Sequence, residues 1–142
     1  MVSKVNLDEI RAVVRDAGLR ATPSRLAVLQ VLRAAEQPMS HGEVAERLAN
    51  LASDPATVYR NLIDFVEVGL ARRTDMGDHT WRFEAVGSKH QAVAHPHFVC
   101  TSCGVVECLP EMDFVVPRAK TPRAIKQRKI EVHVRGLCDG CA

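Results

Sequence analysis

The chain has 142 residues, 46% of them hydrophobic, and a formal net charge of +2. This composition indicates a globular protein and excludes a disordered or strongly basic one, so any basic surface must be local. No apolar run is long enough to span a membrane, and the N-terminus lacks the apolar segment of a signal peptide. We therefore expect a cytoplasmic protein without a membrane partner, in which cysteines are more often metal ligands than disulfides.

The first half of the chain carries four successive helix signals. Apolar residues recur at helical spacing over residues 7–14, and Gly18 should end this helix. Thr22 and Asp54 are each followed by proline, which combines an N-cap with proline at the first helical position. Ser40 begins a capping box. Four helices are therefore predicted before the middle of the chain.

The fourth helix has separate apolar and polar faces. Its polar face comprises Thr57, Arg60, Asn61 and Asp64, with Tyr59 beside it. These side chains suit contacts with phosphates and base edges, and a strand–turn–strand pattern follows over residues 70–83. Helices followed by a hairpin predict a winged helix-turn-helix, although an ordinary helical domain with a solvated polar face remains an alternative.

The last third contains two Cys-x-x-Cys pairs. The four residues are Cys100, Cys103, Cys138 and Cys141. Thiolates at this spacing hold a structural Zn²⁺ in a closed tetrahedral site, which stabilises a domain and leaves no position for a substrate. Residues 104–137 separate the pairs, so strand pairing has to bring the two knuckles together. We expect a winged-helix domain over 1–84, a linker over 85–94 and a zinc-binding domain over 95–142.

A histidine pattern predicts a second, different metal site. His95 and His97 are two residues apart, so on a strand both imidazoles point to the same side. Glu84, at the end of the hairpin, and Glu107, in the strand after the first knuckle, add carboxylate oxygens. Nitrogen and carboxylate ligands suit Fe²⁺, Mn²⁺ or Zn²⁺. The alternative is that these histidines are ordinary surface or core residues.

The remaining histidines and the fifth cysteine are interpreted separately. His41, His79 and His90 are candidates for a further ligand. Cys108 lies outside both pairs and is interpreted as a small core residue. His133 alternates with two valines and is interpreted as an exposed strand residue.

The order of these motifs resembles the ferric uptake regulator family over about residues 16–142. The segments that carry the resemblance are Gly18–Arg25, Ala56–Leu62, Arg82–Glu84, His95–Gly104 and Gly136–Cys141. The resemblance implies a homodimeric repressor of the α+β class. An N-terminal winged helix-turn-helix domain would be followed by a small zinc-stapled α/β dimerisation domain.

The resemblance also implies roles for individual residues. Tyr59 and Arg60 would lie on the recognition helix, Thr57 near the phosphates, and Arg20 in an AT-rich minor groove of double-stranded DNA. The four paired cysteines would hold the structural zinc. The regulatory metal at the hinge would be bound by Glu84, His95, His97 and Glu107. The family's usual histidine ligand in the first domain falls at Pro38, so His41 or His79 would replace it.

The function that this resemblance implies is metal-dependent repression of genes for metal uptake or for metal and oxidative stress. A peroxide-sensing regulator of the same family is an alternative, although Glu107 stands where such sensors tend to carry aspartate. A zinc-ribbon adaptor and an enzyme are the alternatives from other classes. No Gly-rich loop, nucleophile elbow or His-Glu-x-x-His motif supports an enzyme with a small-molecule substrate.

Overall fold

The structure is a computed structural model that describes residues 6–51, 53–87, 95–110, 121–127 and 130–142. It divides into two compact units, Met1–Ala92 and Val93–Ala142. Most of the predicted linker over 85–94 lies outside the described residues, and Ala85 still belongs to the last strand of the first unit. The predicted domain boundaries at 84 and 95 stay predictions.

The first unit combines four helices with a small sheet. In chain order it contains α1 (Leu7–Asp16), α2 (Pro23–Ala34), β1 (Met39–Ser40), α3 (His41–Arg47), a short 3-10 turn (Ala49–Leu51), α4 (Pro55–Glu67), β2 (Ala71–Asp75) and β3 (Trp81–Ala85). Helix α3, the turn and helix α4 form the helix-turn-helix, and the hairpin of β2 and β3 forms the wing.

The predicted helix starts are confirmed. The Thr22 hydroxyl accepts from the Arg25 N–H at 3.3 Å, and Asp54 accepts from the Thr57 N–H. At α3, the Ser40 side chain accepts from the Glu43 N–H while the Glu43 carboxylate accepts from the Ser40 N–H, which completes the capping box. These bonds satisfy backbone donors that a helix start would leave without partners.

The sheet of the first unit has the strand order β1-β3-β2, with all neighbours antiparallel. The hairpin of β2 and β3 was predicted, whereas β1 was not. Strand β1 has only two residues, and Met39 pairs with Phe83. A strand this short carries no alternation of polar and apolar residues, so only the tertiary pairing defines it.

One apolar core joins the helices to this sheet. Its fully buried side chains include Ile10, Val14, Val28, Leu29, Leu32, Val44, Leu62, Phe65 and Phe83. They come from all four helices and from β3, at the spacing that places them on one face of each helix. This core fixes α4 against the rest of the unit and leaves its opposite face to solvent.

Two residues predicted for the polar face of α4 are engaged within the fold. Asn61 is only 6% exposed, and its amide donates to the Ser24 hydroxyl at 2.8 Å. Asp64 forms an ion pair with Arg25 at 2.8 Å. Part of the predicted polar face is therefore used within the fold, because both residues tie α4 to the first turn of α2.

The second unit is built on a three-stranded sheet. It contains β4 (His97–Cys100), β5 (Val106–Cys108), the one-turn helix α5 (Arg123–Lys126) and β6 (His133–Gly136). The strand order is β5-β4-β6, with β5 antiparallel and β6 parallel to the central strand. The strand expected over 129–134 begins only at His133. Among the described residues, no helix is long and apolar enough to cross a membrane.

We predict that Phe65→Ala lowers the free energy of unfolding by about 3–5 kcal/mol, because it leaves a cavity where a fully buried ring packs. Urea unfolding followed by the fluorescence of Trp81, the single tryptophan, measures this loss in the first unit. Val68→Ala, at a position 37% exposed beyond the end of α4, is the control and should change stability by about 0.5 kcal/mol or less. Equal losses in the two variants would contradict the placement of the core.

Candidate metal centres and nucleic-acid interface

The two Cys-x-x-Cys turns follow neighbouring parallel strands. Strand β4 ends at Cys100 and β6 ends at Gly136, and these two residues are opposite each other in the parallel register. Both turns therefore leave the same edge of the sheet, although residues 104–137 separate them in sequence. The sulfurs of Cys100, Cys103, Cys138 and Cys141 all lie within 4.8 Å of one another.

Backbone donors surround the sulfur of Cys100. The N–H groups of Cys103 and Cys138 donate to it, at 3.5 and 3.4 Å. These two bonds lower the pKa of the Cys100 thiol to about 6, the Cys103 N–H being the larger cause. By contrast, the pKa of Cys141 is raised to about 12, chiefly by the side-chain hydrogen bond with Cys138.

The two pKa directions show what this cluster requires. The protein's own donors favour one thiolate, but they do not favour several negative charges on adjacent sulfurs. A divalent cation supplies the positive charge that lets all four sulfurs ionise. Four converging thiolates with N–H···S bonds are the donor set of a structural zinc centre, so the residues fit the predicted Zn²⁺.

The predicted histidine pair lies at the start of the central strand of the second unit: His97 is the first residue of β4, and His95 precedes it by two residues. The rings of His95 and His97 have centroids 4.6 Å apart, and His97 is 4% exposed. Cys108 is opposite His97 in the β4–β5 register, and the ligand atoms of His95, His97 and Cys108 lie within 4.8 Å of one another. This unit therefore has a second cluster of side chains, with nitrogen and sulfur donors, that could hold a metal ion.

The structure does not bring Glu107 to these histidines. Glu107 is exposed and is opposite Phe98, whereas its neighbour Cys108 is opposite His97. Since side chains alternate along a strand, Glu107 and His97 point to opposite faces of the sheet. Cys108, which we had interpreted as a small core residue, takes the position beside the imidazoles. The sequence did offer a signal for Cys108, because it directly follows Glu107, the residue predicted as a ligand on that strand.

His133 also differs from its prediction as an exposed residue. It is opposite His97 in the parallel β4–β6 register, and the two rings make an edge contact with centroids 6.3 Å apart. Its side chain is 22% exposed. Cys108, His97 and His133 thus form a row across the three strands.

The other predicted ligands lie in the first unit. Glu84 is in β3, opposite Arg72, and is 4% exposed. The Nε2–H of His41 donates to the Pro55 carbonyl at 2.7 Å, and the His41 ring makes an edge contact with Tyr59. His79 is exposed in the hairpin turn with a φ of +60°. His41 is therefore engaged with the start of α4.

The residues predicted to contact DNA lie on α4 and in the connection before α2. Tyr59 and Arg60 are exposed in α4, and Thr57 is half-buried in its first turn. Arg20 is exposed in the connection before α2. The wing adds a feature that the sequence analysis missed: the Arg73 guanidinium lies 4.4 Å from the ring centroid of Trp81, which is 44% exposed. Their diagonal positions across the hairpin were the available signal.

We predict that Cys138→Ser removes the structural zinc, because three thiolates and a hydroxyl hold the ion much less tightly. Metal analysis after removal of labile metal should show a loss of close to one zinc per chain relative to the parent protein. Cys108→Ser is the matched control and should retain that zinc, since Cys108 is outside the four-sulfur cluster. Retention of zinc by the Cys138 variant would refute this assignment.

We predict that Asp54, the N-cap of α4, contributes to the pH dependence of stability. The Thr57 N–H, followed by the Thr57 hydroxyl, lowers the pKa of Asp54 below its ordinary value of 3.8. A carboxyl with a lowered folded-state pKa stabilises the fold above its unfolded pKa, and this contribution is lost as the pH falls through the folded pKa. Asp54→Asn keeps a capping oxygen but does not titrate. Its stability should therefore fall less than that of the parent between about pH 5 and pH 3 in urea unfolding; parallel pH profiles would contradict the cap's role.

Comparisons with known proteins agree with this architecture. The model of the Ferric uptake regulator family matches residues 16–134. The peroxide-responsive repressor PerR of Staphylococcus aureus (strain Mu50 / ATCC 700699) is 27% identical over 146 aligned positions, which cover 95% of this chain and 90% of that protein.

Two solved structures are similar in both fold and sequence. The ferric uptake regulator (Fur) of Vibrio cholerae superposes with a TM-score of 0.65 at 27% identity, covering 90% of this chain and 98% of that one. The ferric uptake regulator of Pseudomonas aeruginosa, solved with manganese, gives 0.62 at 29% identity, covering 88% and 96%. The fold is thus a winged helix-turn-helix domain followed by a zinc-binding α/β dimerisation domain. With the four-cysteine centre, these matches show that the chain belongs to the ferric uptake regulator family of metal-responsive regulators.

Proposed function

We propose that this protein is a homodimeric, metal-dependent repressor that binds AT-rich inverted repeats in double-stranded DNA when its second metal site is filled. The genes under its control would serve metal uptake or the response to metal and oxidative stress. The observation that carries the proposal is the His95, His97 and Cys108 cluster in a chain whose other unit is a winged helix. A closed four-thiolate zinc centre alone stabilises a fold and does not sense a changing metal supply.

The DNA-binding part rests on what α4 leaves exposed. Tyr59 and Arg60 project from a helix whose opposite face is locked into the core, while Asn61 and Asp64 are used to hold that helix. Arginine reads guanine edges bidentately, and aromatic and short polar side chains contact bases and phosphates. We assign Tyr59 and Arg60 to the major groove, Thr57 to a phosphate, and Arg20 to the narrow minor groove of an AT-rich segment.

The regulatory metal would be held by His95 and His97, with Glu84 as the oxygen ligand that the family motif implies. Glu107 was also among the metal ligands expected from sequence. Because it lies opposite Phe98, on the other face of the sheet from His97, a different residue of β5 is the better candidate for a ligand. His41 or His79 would be the further ligand of the first domain. Because His41 already donates its Nε2–H to the Pro55 carbonyl, only its Nδ1 is available without breaking that bond.

Metal would act through the difference in its affinity for two conformations. A ligand shifts an equilibrium only by as much as it binds one state more tightly than the other. Changing a population from 1% to 99% requires about 5.5 kcal/mol, which two or three additional ligand bonds to a divalent ion readily supply. The favoured state is the dimer whose two recognition helices match the half-sites of an inverted repeat.

We predict that double replacement of His95 and His97 by alanine abolishes the metal dependence of DNA binding but retains zinc at the four cysteines. The test is selection from a randomised duplex library after removal of labile metal, with zinc, manganese or anaerobic iron(II) added separately. The parent protein should enrich an AT-rich inverted repeat with at least one metal. Arg60→Ala is the complementary variant: it should bind metal normally and lose roughly tenfold in operator affinity, as expected for one base contact.

The outcomes separate the alternatives. Enrichment of an operator that does not depend on metal would support DNA binding but refute the assignment as a metal sensor. No enrichment under any condition would favour a zinc-ribbon adaptor. A response of the double histidine variant equal to that of the parent would refute the assignment of the regulatory site.

A peroxide sensor is the second candidate, favoured by the similarity to the S. aureus peroxide-responsive repressor. In that case iron(II)-loaded protein treated with hydrogen peroxide should release DNA, and mass spectrometry should find an added oxygen atom on His95 or His97. Zinc-loaded protein is the control, because zinc has no redox chemistry.

A further inference from the structure

We propose that Cys108 is a sulfur ligand of the second metal site and that it makes this site selective for zinc(II) over iron(II) and manganese(II). The inference rests on the proposed function, because it names the ligand set and the effector of the same regulatory site. It departs from the set expected from sequence, in which the donors were nitrogen and oxygen.

The placement of Cys108 follows from strand pairing. Strands β4 and β5 are antiparallel, with His97 opposite Cys108, Phe98 opposite Glu107 and Val99 opposite Val106. Directly opposed residues of an antiparallel pair point to the same face of the sheet, with Cβ atoms about 5 Å apart. Cys108 and His97 therefore point to the same face of the sheet.

His95 joins the same group. The ligand atoms of His95, His97 and Cys108 are all within 4.8 Å of one another, and the two imidazole centroids are 4.6 Å apart. Around a tetrahedral zinc, nitrogen and sulfur donors are roughly 3.5 Å apart, from Zn–N and Zn–S bonds of about 2.0 and 2.3 Å. Closing the remaining difference takes side-chain rotation and no change in backbone register.

This thiol does not belong to the four-cysteine centre. Cys108 is opposite His97 at the first residue of β4, whereas the zinc knuckle begins at Cys100, the last residue of that strand. Three residues along a strand correspond to about 10 Å. The sheet thus holds two separate groups of donors, one at each end of β4.

Glu107 has different surroundings. It lies on the opposite face with Phe98, beside a cavity of about 510 Å³ that Leu137 also lines. Its carboxylate is exposed to solvent there. The alternation along β5 thus presents a thiol on the histidine side and a carboxylate on the other side.

Donor chemistry gives the selectivity. Soft thiolate ligands favour zinc, whereas carboxylate and water suit manganese, and intrinsic affinities already rise from Mn²⁺ through Fe²⁺ to Zn²⁺. Replacing one oxygen donor by a thiolate widens that gap. Two imidazoles and a thiolate from this unit leave a fourth position for a ligand from elsewhere in the protein or from solvent.

Cobalt(II) spectroscopy tests the ligand directly. Zinc first fills the four-cysteine centre, and one equivalent of cobalt(II) is then added to the full-length protein. We expect a sulfur-to-cobalt charge-transfer band in the near ultraviolet together with visible ligand-field bands. In Cys108→Ser the near-ultraviolet band should disappear while visible bands remain, and in Glu107→Gln, the neighbour on the opposite face, both should be unchanged. A band that survives Cys108→Ser, or is lost in Glu107→Gln, overturns the proposal.

Two independent measurements test the selectivity of the site for zinc and the protection of Cys108 against alkylation by bound zinc. The ratio of zinc to manganese affinities, measured by competition with a chelating indicator, should fall at least tenfold in Cys108→Ser and stay constant in Glu107→Gln. In the parent protein, which avoids any folding defect of a variant, a second equivalent of zinc should slow alkylation of Cys108 at least tenfold, as followed by peptide mass spectrometry. Equal alkylation rates with and without that zinc refute sulfur ligation.

The result is distinguishable from failure of the proposed function. Metal-dependent operator binding without a sulfur-to-cobalt band would refute Cys108 as a ligand and leave the proposed function as a repressor intact. A sulfur band that Cys108→Ser removes, with no metal-dependent DNA binding, would support the ligand and refute the repressor.

Discussion

The second domain depends on the parallel pairing of β4 with β6, which sets Cys100 opposite Gly136. A parallel pair cannot be joined by a tight turn, so the chain between the two strands has to make a crossover. The crossover explains why the cysteine pairs are far apart in sequence and adjacent in space. It also brings the Cys138 N–H to the sulfur of Cys100. A zinc ion bound at this point would close the loop, and structural zinc binds zinc-finger peptides with an apparent free energy on the order of 10–16 kcal/mol.

The same central strand positions the second group of donors, and there the two-residue period of a strand is decisive. Side chains on β4 and β5 are assigned to a face by register alone, which places Cys108 with His97 and Glu107 with Phe98. A shift of the register by one residue would place the Glu107 carboxylate beside His97 in place of the thiol, so the donors on this face depend on strand register as well as on the histidines.

The first domain shows how few residues remain for recognition once a helix has been fixed. On α4, Asn61 and Asp64 bind Ser24 and Arg25, and these contacts set the helix against α2. Tyr59 and Arg60 stay outside, and the contact of His41 with the Tyr59 ring and with Pro55 supports the N-terminal turn. The rigid placement of two or three side chains is what permits a helix to read base edges, since their geometry is then settled before DNA binds.

The sequence by itself determined the helix starts, the hairpin and the four zinc ligands. Those signals are local: a cap lies next to its helix at Thr22, Ser40 and Asp54, and Cys-x-x-Cys places two ligands in one turn. Only the tertiary structure decided the two-residue strand β1, the burial of Asn61 and which of Glu107 and Cys108 lies on the same face of the sheet as His97. Each of these depends on which residue of a distant segment lies opposite, and strand register is a long-range property that periodicity within one strand does not encode.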